Sequence, residues 1–164
     1  MKKLMIKFFN IGGIHGLIAL NNYRIGNWLF YKCNVPIMKN IFWIIYRLFD
    51  YFFVRTFLGS EFPAQAKIGK NLKLPHGGKG IIIERNVVIG DNVTIYHQVT
   101  LGINNHAGVS PKIGDNVFIG AGAKILGGVI VGDGSKIGAN AVVIKNVPKN
   151  STAVGVPARI LTKN

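Results

Sequence analysis

Carboxylates are scarce in this chain: six Asp and Glu stand against 20 Lys and Arg in 164 residues, a formal charge of +14. They are Asp50, Glu61, Glu84, Asp91, Asp115 and Asp133, and any carboxylate-dependent chemistry must draw on this set. Cysteine is nearly absent. The lone Cys33 excludes a disulfide framework and a Cys-rich zinc or iron–sulfur site, and points to a reducing, cytoplasmic compartment. Long apolar runs are missing as well. The longest uncharged stretch, Phe8 to Tyr23, is interrupted by Asn10, His15, glycines and further asparagines, short of the roughly 20 apolar residues of a membrane span. The opening Met-Lys-Lys-Leu has the charge of a secretory leader, but Lys7 and Asn10 cut its apolar stretch short and no small-residue cleavage site follows.

Apolar residues make up 49% of the chain, enough to bury a core, which excludes a disordered polycation. The aromatics are confined: fourteen of the seventeen precede Ser60, and the remainder is rich in Ile, Val, Gly and Asn. The boundary falls at Gly59-Ser60 and divides an extension, residues 1–59, from a second part, residues 60–164. In the extension, Ile41, Ile44, Ile45, Leu48, Phe52 and Phe53 fall near helical spacing among Lys39, Arg47, Asp50 and Arg55, which predicts an amphipathic helix. A basic, aromatic helix suits an anionic membrane surface, or it covers the second part or a partner subunit. Nucleic acid is disfavoured as a partner, because the aromatics sit in apolar clusters without an interleaved basic pattern and no zinc finger or helix-turn-helix signature occurs.

The second part is periodic. Read in sixes from Phe62, with three extra residues at Gly80, Ile81 and Ile82, it gives fourteen hexads, and every first position is apolar. Seven fourth positions are Asn and four are Gly, the residues that enter the left-handed region at least cost, so the chain turns a corner in each hexad. Three such sides close a triangular coil, and the hexads amount to about five coils of an all-β solenoid, a parallel β-helix. Asp91, Asp115 and Asp133 share the third position and are expected to hydrogen-bond the turn backbone. His76 and His97 also occupy third positions. They lie 21 residues apart, one coil plus the three-residue insertion, so they stack on one corner if the insertion loops out. His106 ends the hexad before the least regular one, whose fourth residue is Ser110. Three histidines, His76, His97 and His106, leave a metal-dependent hydro-lyase open as an alternative.

Glu61 to Arg159 resembles the left-handed parallel β-helix acyltransferases with hexapeptide repeats, in the serine acetyltransferase branch and its polysaccharide O-acetyltransferase relatives. The resemblance rests on Leu-Pro-His76-Gly-Gly, Val-Thr-Leu-Gly102, Ser-Pro-Lys-Ile-Gly114, Ile-Gly-Ala121-Gly-Ala-Lys124 and Val-Gly-Val-Pro-Ala-Arg159. It implies acetyl-CoA as co-substrate, no metal, His76 as general base, and Glu61 as the acid that orients that histidine. It also implies a homotrimer with CoA between subunits. Gly102, Ala121, Gly122, Ala139 and the Pro157-Ala158-Arg159 tail match the CoA-contacting positions, and Lys124 and Lys136 are expected to meet the CoA phosphates. His97, His106 and Ser110 are candidate contacts for the acceptor.

Two departures bear on that acceptor. The serine acetyltransferase pattern has Asp where this chain has Pro75 and a second His where it has Ser110, and the long helical N-terminal domain is replaced by the short extension. These departures lead to the expectation of a glycan acceptor: O-acetylation of a capsular polysaccharide, exopolysaccharide or lipopolysaccharide, or of its lipid-linked precursor, at the inner face of the plasma membrane. Serine as acceptor, a hydro-lyase resembling the γ-class carbonic anhydrases, and a non-catalytic trimeric scaffold are the alternatives.

Overall fold

A computed structural model of the chain describes residues 11–104 and 108–161. Its frame is a prism of three parallel sheets built from two- and three-residue strands. Sheet 1 stacks β1 (Lys67–Ile68), β3 (Val88–Ile89), β6 (Lys112–Ile113) and β9 (Ile130–Val131). In sheet 2, β4 (Thr94–Ile95), β7 (Phe118–Ile119), β10 (Lys136–Ile137) and β12 (Thr152–Val154) run parallel, and β13 (Arg159–Leu161) closes the top antiparallel to β12. Sheet 3 holds β2 (Ile82–Ile83), β5 (Thr100–Gly102), β8 (Lys124–Leu126) and β11 (Val142–Val143). Isolated bridges Glu61↔Ile82, Lys73↔Thr94 and Val131↔Val147 add one further level to each sheet.

The hexad pattern explains the frame. First-position residues from Phe62 to Val143 point into the prism and are buried wherever described, and fifth-position residues such as Val87, Val93, Val99 and Val117 join them. Burying each such side chain contributes roughly 1.5–3 kcal/mol, and the β-branched shape suits a pleated, tightly stacked wall. The corners turn where Asn71, Asn92, Gln98, Asn116 and Asn140 adopt positive φ, all of them fourth positions. Regular coils pair residues 18 apart, as in Ile83↔Leu101 and Ile119↔Ile137. Two irregularities interrupt this spacing. Ile68↔Ile89 absorbs the three residues inserted at 80–82, and the pairs Ile89↔Ile113, Ile95↔Ile119 and Leu101↔Ile125 each span an extra six. One whole hexad's length therefore leaves the wall between Gly102 and Pro111 while the phase is kept on both sides.

The extension closes the bottom of the prism. Helix α1 (Gly13–Tyr31) buries Ala19 and Tyr23 in the same core as the first coils, and Val54 and Leu58 join them. A lowest coil exposes unpaired backbone groups that need partners. Here side chains of α1 supply them. The Tyr23 hydroxyl donates to the Ala66 carbonyl at 2.8 Å and accepts from the Ile68 amide at 3.0 Å. Asn27 donates to the carbonyls of Ala64 and Ala66, and Arg24 to those of Ile68 and Gly69. Burial pushes the Tyr23 phenol above its ordinary value, so it stays neutral in this role.

Helix α2 (Pro36–Phe49) starts with proline at its first turn, where the missing amide costs nothing, and continues as a π-helical segment, Asp50–Phe57. The predicted amphipathic helix is thus present, but with a change of pitch at Asp50. That carboxylate is buried and accepts from Asn22 Nδ2 and Arg55 Nε, both at 2.9 Å, which ties α1 to the π-helical segment.

Candidate active site

Sheet 2 passes to sheet 3 through a corner whose third-position residues are His76, His97, Ala121 and Ala139, one above another. The pairing of Lys73 with Thr94 sets His76 beneath His97, and their ring centroids lie 4.7 Å apart, edge to face. The stack predicted from their spacing is present, but the extra residues do not all loop out: the chain turns through residues 75–80, Ile81 is buried in the core and Ile82 already belongs to β2. Backbone hydrogen bonds carry the column upward: the Gly122 amide donates to the His97 carbonyl at 3.0 Å, and the Asn140 amide to the Ala121 carbonyl at 2.8 Å. Two imidazoles at the base thus give way to a run of small side chains.

His76 is exposed and His97 half-buried, and with Lys79, Gly80 and Gln98 they line a cleft of about 300 Å³. Lys124 reaches over its edge, its Nζ donating to the Gln98 carbonyl at 2.8 Å. Tyr96 flanks His76 at 5.5 Å between centroids and leans in turn on Phe118 at 5.3 Å. The His97 Nδ1 atom is buried with no hydrogen-bond partner among the described residues. The arrangement offers one accessible imidazole for proton transfer, a second to brace it, and a cation at the rim. Lys79 and Gln98 escape sequence reasoning, because a Lys in sixth position resembles the solvated Lys67 and Lys73, and Gln98 has the form of another corner residue.

The corner carrying His76 is held from below. The first turn of α1 abuts it so closely that a Cβ on Gly12, itself at φ +85°, would lie 2.0 Å from the Leu74 carbonyl oxygen and 2.3 Å from the Gly77 amide. Gly77, at φ +71°, likewise has the Cβ of His15 where its own would project, at 2.9 Å. His15, with no partner evident in sequence, stacks on Phe57 at 5.8 Å. The fully buried Ser60 hydroxyl lies 2.7 Å from the Gly78 carbonyl, and the Gly80 amide donates to Leu58.

Other expected site residues fall elsewhere. Glu61, expected to serve His76, pairs with Arg55 Nη1 at 2.9 Å, and no hydrogen bond joins it to His76 among the described residues. It lines a separate cleft of about 490 Å³ along sheet 3 with Arg47, Glu84, Arg85 and Gly102. The reason is local: Arg55 bridges Asp50 and Glu61. Ser110, expected at the acceptor, is buried at the corner from sheet 3 to sheet 1, where its hydroxyl donates to Glu84 Oε2 at 2.8 Å. Lys136 stands on the outer face of β10. Ala158 donates its amide to the Val142 carbonyl, and Arg159 opens β13. His106 lies outside the described residues. Among the described residues no group of three or more His, Cys, Asp or Glu could hold a metal ion.

Residues 110–145 match the bacterial transferase hexapeptide family (six repeats). Over 154 residues the chain is 42% identical to a serine acetyltransferase of Helicobacter pylori, covering 93% of this chain and 82% of that protein. A serine acetyltransferase of Staphylococcus aureus is 48% identical over 112 residues, 67% of this chain and 52% of its own length. Among solved structures, the soybean serine acetyltransferase apoenzyme has a TM-score of 0.77 at 35% identity, covering 90% of this chain and 58% of its own. A serine acetyltransferase from Brucella abortus in complex with coenzyme A has a TM-score of 0.74 at 36% identity, covering 89% of this chain and 55% of its own. The chain thus spans about half the length of the staphylococcal relative and of these structures, and most of the Helicobacter one.

These relatives overturn the glycan acceptor expected from Pro75, Ser110 and the short extension. The Helicobacter match runs through almost the entire chain, extension included, and bears the name serine acetyltransferase. The short front end is therefore no sign of a change of substrate. By its repeat, its His76 corner and this likeness, the chain belongs to the serine acetyltransferase family, acetyl-CoA-dependent acyltransferases built on hexapeptide repeats.

Proposed function

We propose that the chain transfers acetyl from acetyl-CoA to the hydroxyl of L-serine, with His76 as general base. The observation that carries this reading is the exposed His76 imidazole, fixed against His97 at the mouth of a cleft in a chain 42% identical to a serine acetyltransferase. His76 removes the hydroxyl proton as the serine oxygen attacks the thioester carbonyl. The carbon–sulfur bond then breaks, and the imidazolium returns its proton to the CoA sulfur. Because Glu61 is engaged by Arg55, His97 is the neighbour assigned to hold the His76 ring in place. The pantetheine arm follows the small residues Ala121, Gly122 and Ala139 above the histidines, between subunits of a homotrimer. Lys124 and Lys136 meet CoA phosphates, and Gly102, Ala158 and Arg159 border that groove.

The test is release of free CoA thiol from acetyl-CoA by purified protein, with and without L-serine. Serine-dependent release that disappears in His76→Ala supports the reading. Absence of serine-dependent release in the unaltered chain rejects serine as acceptor, and retention in His76→Ala rejects His76 as base.

A further inference from the structure

We propose that the outer face of α2 docks on the surface of an anionic phospholipid bilayer. Of the fourteen residues of α2, only Tyr46 is buried. Ile37, Ile41, Ile44, Ile45, Leu48 and Phe52 form a continuous apolar stripe, each more than half exposed. Between α1 and α2 lies an apolar groove of about 940 Å³, with Ile25, Trp28, Met38, Phe42 and Phe49 in its walls and Arg24 at its edge. Soluble surfaces rarely leave contiguous apolar area of this extent uncovered.

Charge identifies the occupant. Among the described residues of the extension the charges that reach solvent are cations, with Lys32 and Arg47 exposed and Lys39 half-buried, and its one carboxylate, Asp50, is buried under Arg55. A covering surface must therefore bring both apolar area and negative charge. A second copy of this chain has little negative charge to give: it carries six Asp and Glu against 20 Lys and Arg, and those six are tied within its own fold. Asp50 and Glu61 hold Arg55, and Glu84 holds Ser110 and the Asn86 amide. Asp91, Asp115 and Asp133 hold the amides of Lys70, Asp91 and Asp115. An anionic bilayer offers both: phosphate to the cations, and acyl chains to the stripe and groove. No helix among the described residues is long and apolar enough to cross a membrane, so α2 lies in the plane of the interface.

The experiment is co-sedimentation of the full chain with vesicles of phosphatidylcholine alone and of phosphatidylcholine with phosphatidylglycerol, at low and high salt. Binding to the anionic vesicles, weakened by salt and accompanied by a blue shift of tryptophan emission, is expected. In Ile41→Ser/Ile44→Ser/Leu48→Ser, and separately in Lys32→Glu/Lys39→Glu, partitioning falls roughly tenfold or more. Helical circular dichroism and CoA-thiol release in solution stay as in the unaltered chain, since these side chains already face solvent. Equal binding to both vesicle types, or none to either, overturns the proposal. So does a self-assembled particle that the triple serine variant splits into smaller ones, which assigns the face to a second copy. Binding confined to an acidic protein, with vesicles ignored, also overturns it. Because vesicle binding and thiol release are read separately, failure here leaves the serine reading untouched, and the reverse holds.

Discussion

At the corner from sheet 1 to sheet 2, the third hexad position is filled by Asp91, Asp115 and Asp133. At the corner from sheet 2 to sheet 3, the same position holds His76, His97, Ala121 and Ala139. The backbone demand is the same at both, with Asn92 and Asn116 at positive φ on one and Gln98 and Asn140 on the other. The side chains do different work. Each aspartate accepts from a backbone amide one coil below: Asp91 from Lys70 at 2.6 Å, Asp115 from Asp91 at 2.7 Å, Asp133 from Asp115 at 3.0 Å. The bond expected within a turn is made between turns, so this corner is a staple along the solenoid. The histidine corner carries no such staple and leaves a cleft instead. A repeat can thus spend one corner on cohesion and leave another free for chemistry.

The sharpest break in this comparison comes from exchanging effects between the corners. His76→Ala is expected to lower serine-dependent CoA release by about 10²- to 10⁴-fold, the range for loss of a general base, with the thermal midpoint nearly unchanged. Gly12→Ala is expected to come next. Its Cβ would displace the Leu74–Gly77 backbone, and because small misplacements of a catalytic group are costly, kcat should fall about 10- to 100-fold. KM for acetyl-CoA should hold, because the upper coils are untouched. Equal loss in kcat and in acetyl-CoA affinity would mean that α1 supports the fold as a whole and does not aim His76. Asp115→Ala is expected to do the opposite of both: kcat unchanged, stability lower by about 1 kcal/mol for a lost hydrogen bond, and a midpoint lower by about 2–4 °C. A fall in kcat there would show that the two corners are coupled.

Which features were legible follows from the range of the interactions behind them. The prism was readable because every first position must face the same interior, so periodicity records it directly in Ile68, Ile89, Ile113 and the rest. The His76–His97 stack was readable by counting residues along that period. The Glu61–Arg55 pair was not, since Arg55 reaches Glu61 only because the π-helical segment turns it there. The contact of Gly12 and His15 with Gly77 was equally hidden: helix docking joins residues some 60 positions apart with no periodic trace. The acceptor was misread for a different reason. Pro75 and Ser110 depart from the family pattern, yet the Ser110 hydroxyl is committed to Glu84 and its position alone says nothing about a substrate.

That Ser110–Glu84 contact gives the finest test, because it lies at the third corner, from sheet 3 to sheet 1. Burial pushes the Glu84 carboxyl up, but hydrogen bonds from the Asn86 amide and the Ser110 hydroxyl outweigh it, helped by the Arg85 charge. The net result is a carboxyl held below its ordinary value. A carboxylate depressed on folding adds stability that is fully present above its unfolded pKa and fades as pH falls through its folded one. Ser110→Ala removes one of the hydrogen bonds that lower the Glu84 value and moves that folded value back toward the ordinary one. The variant should therefore be less stable than the unaltered chain near pH 7, by about 1 kcal/mol or less, and the gap should close as pH falls below about 4. Urea unfolding at pH 7 and pH 3 reads both values. A gap that stays constant with pH would mean that Ser110 acts through packing and that this corner is held by shape alone, unlike the aspartate staple.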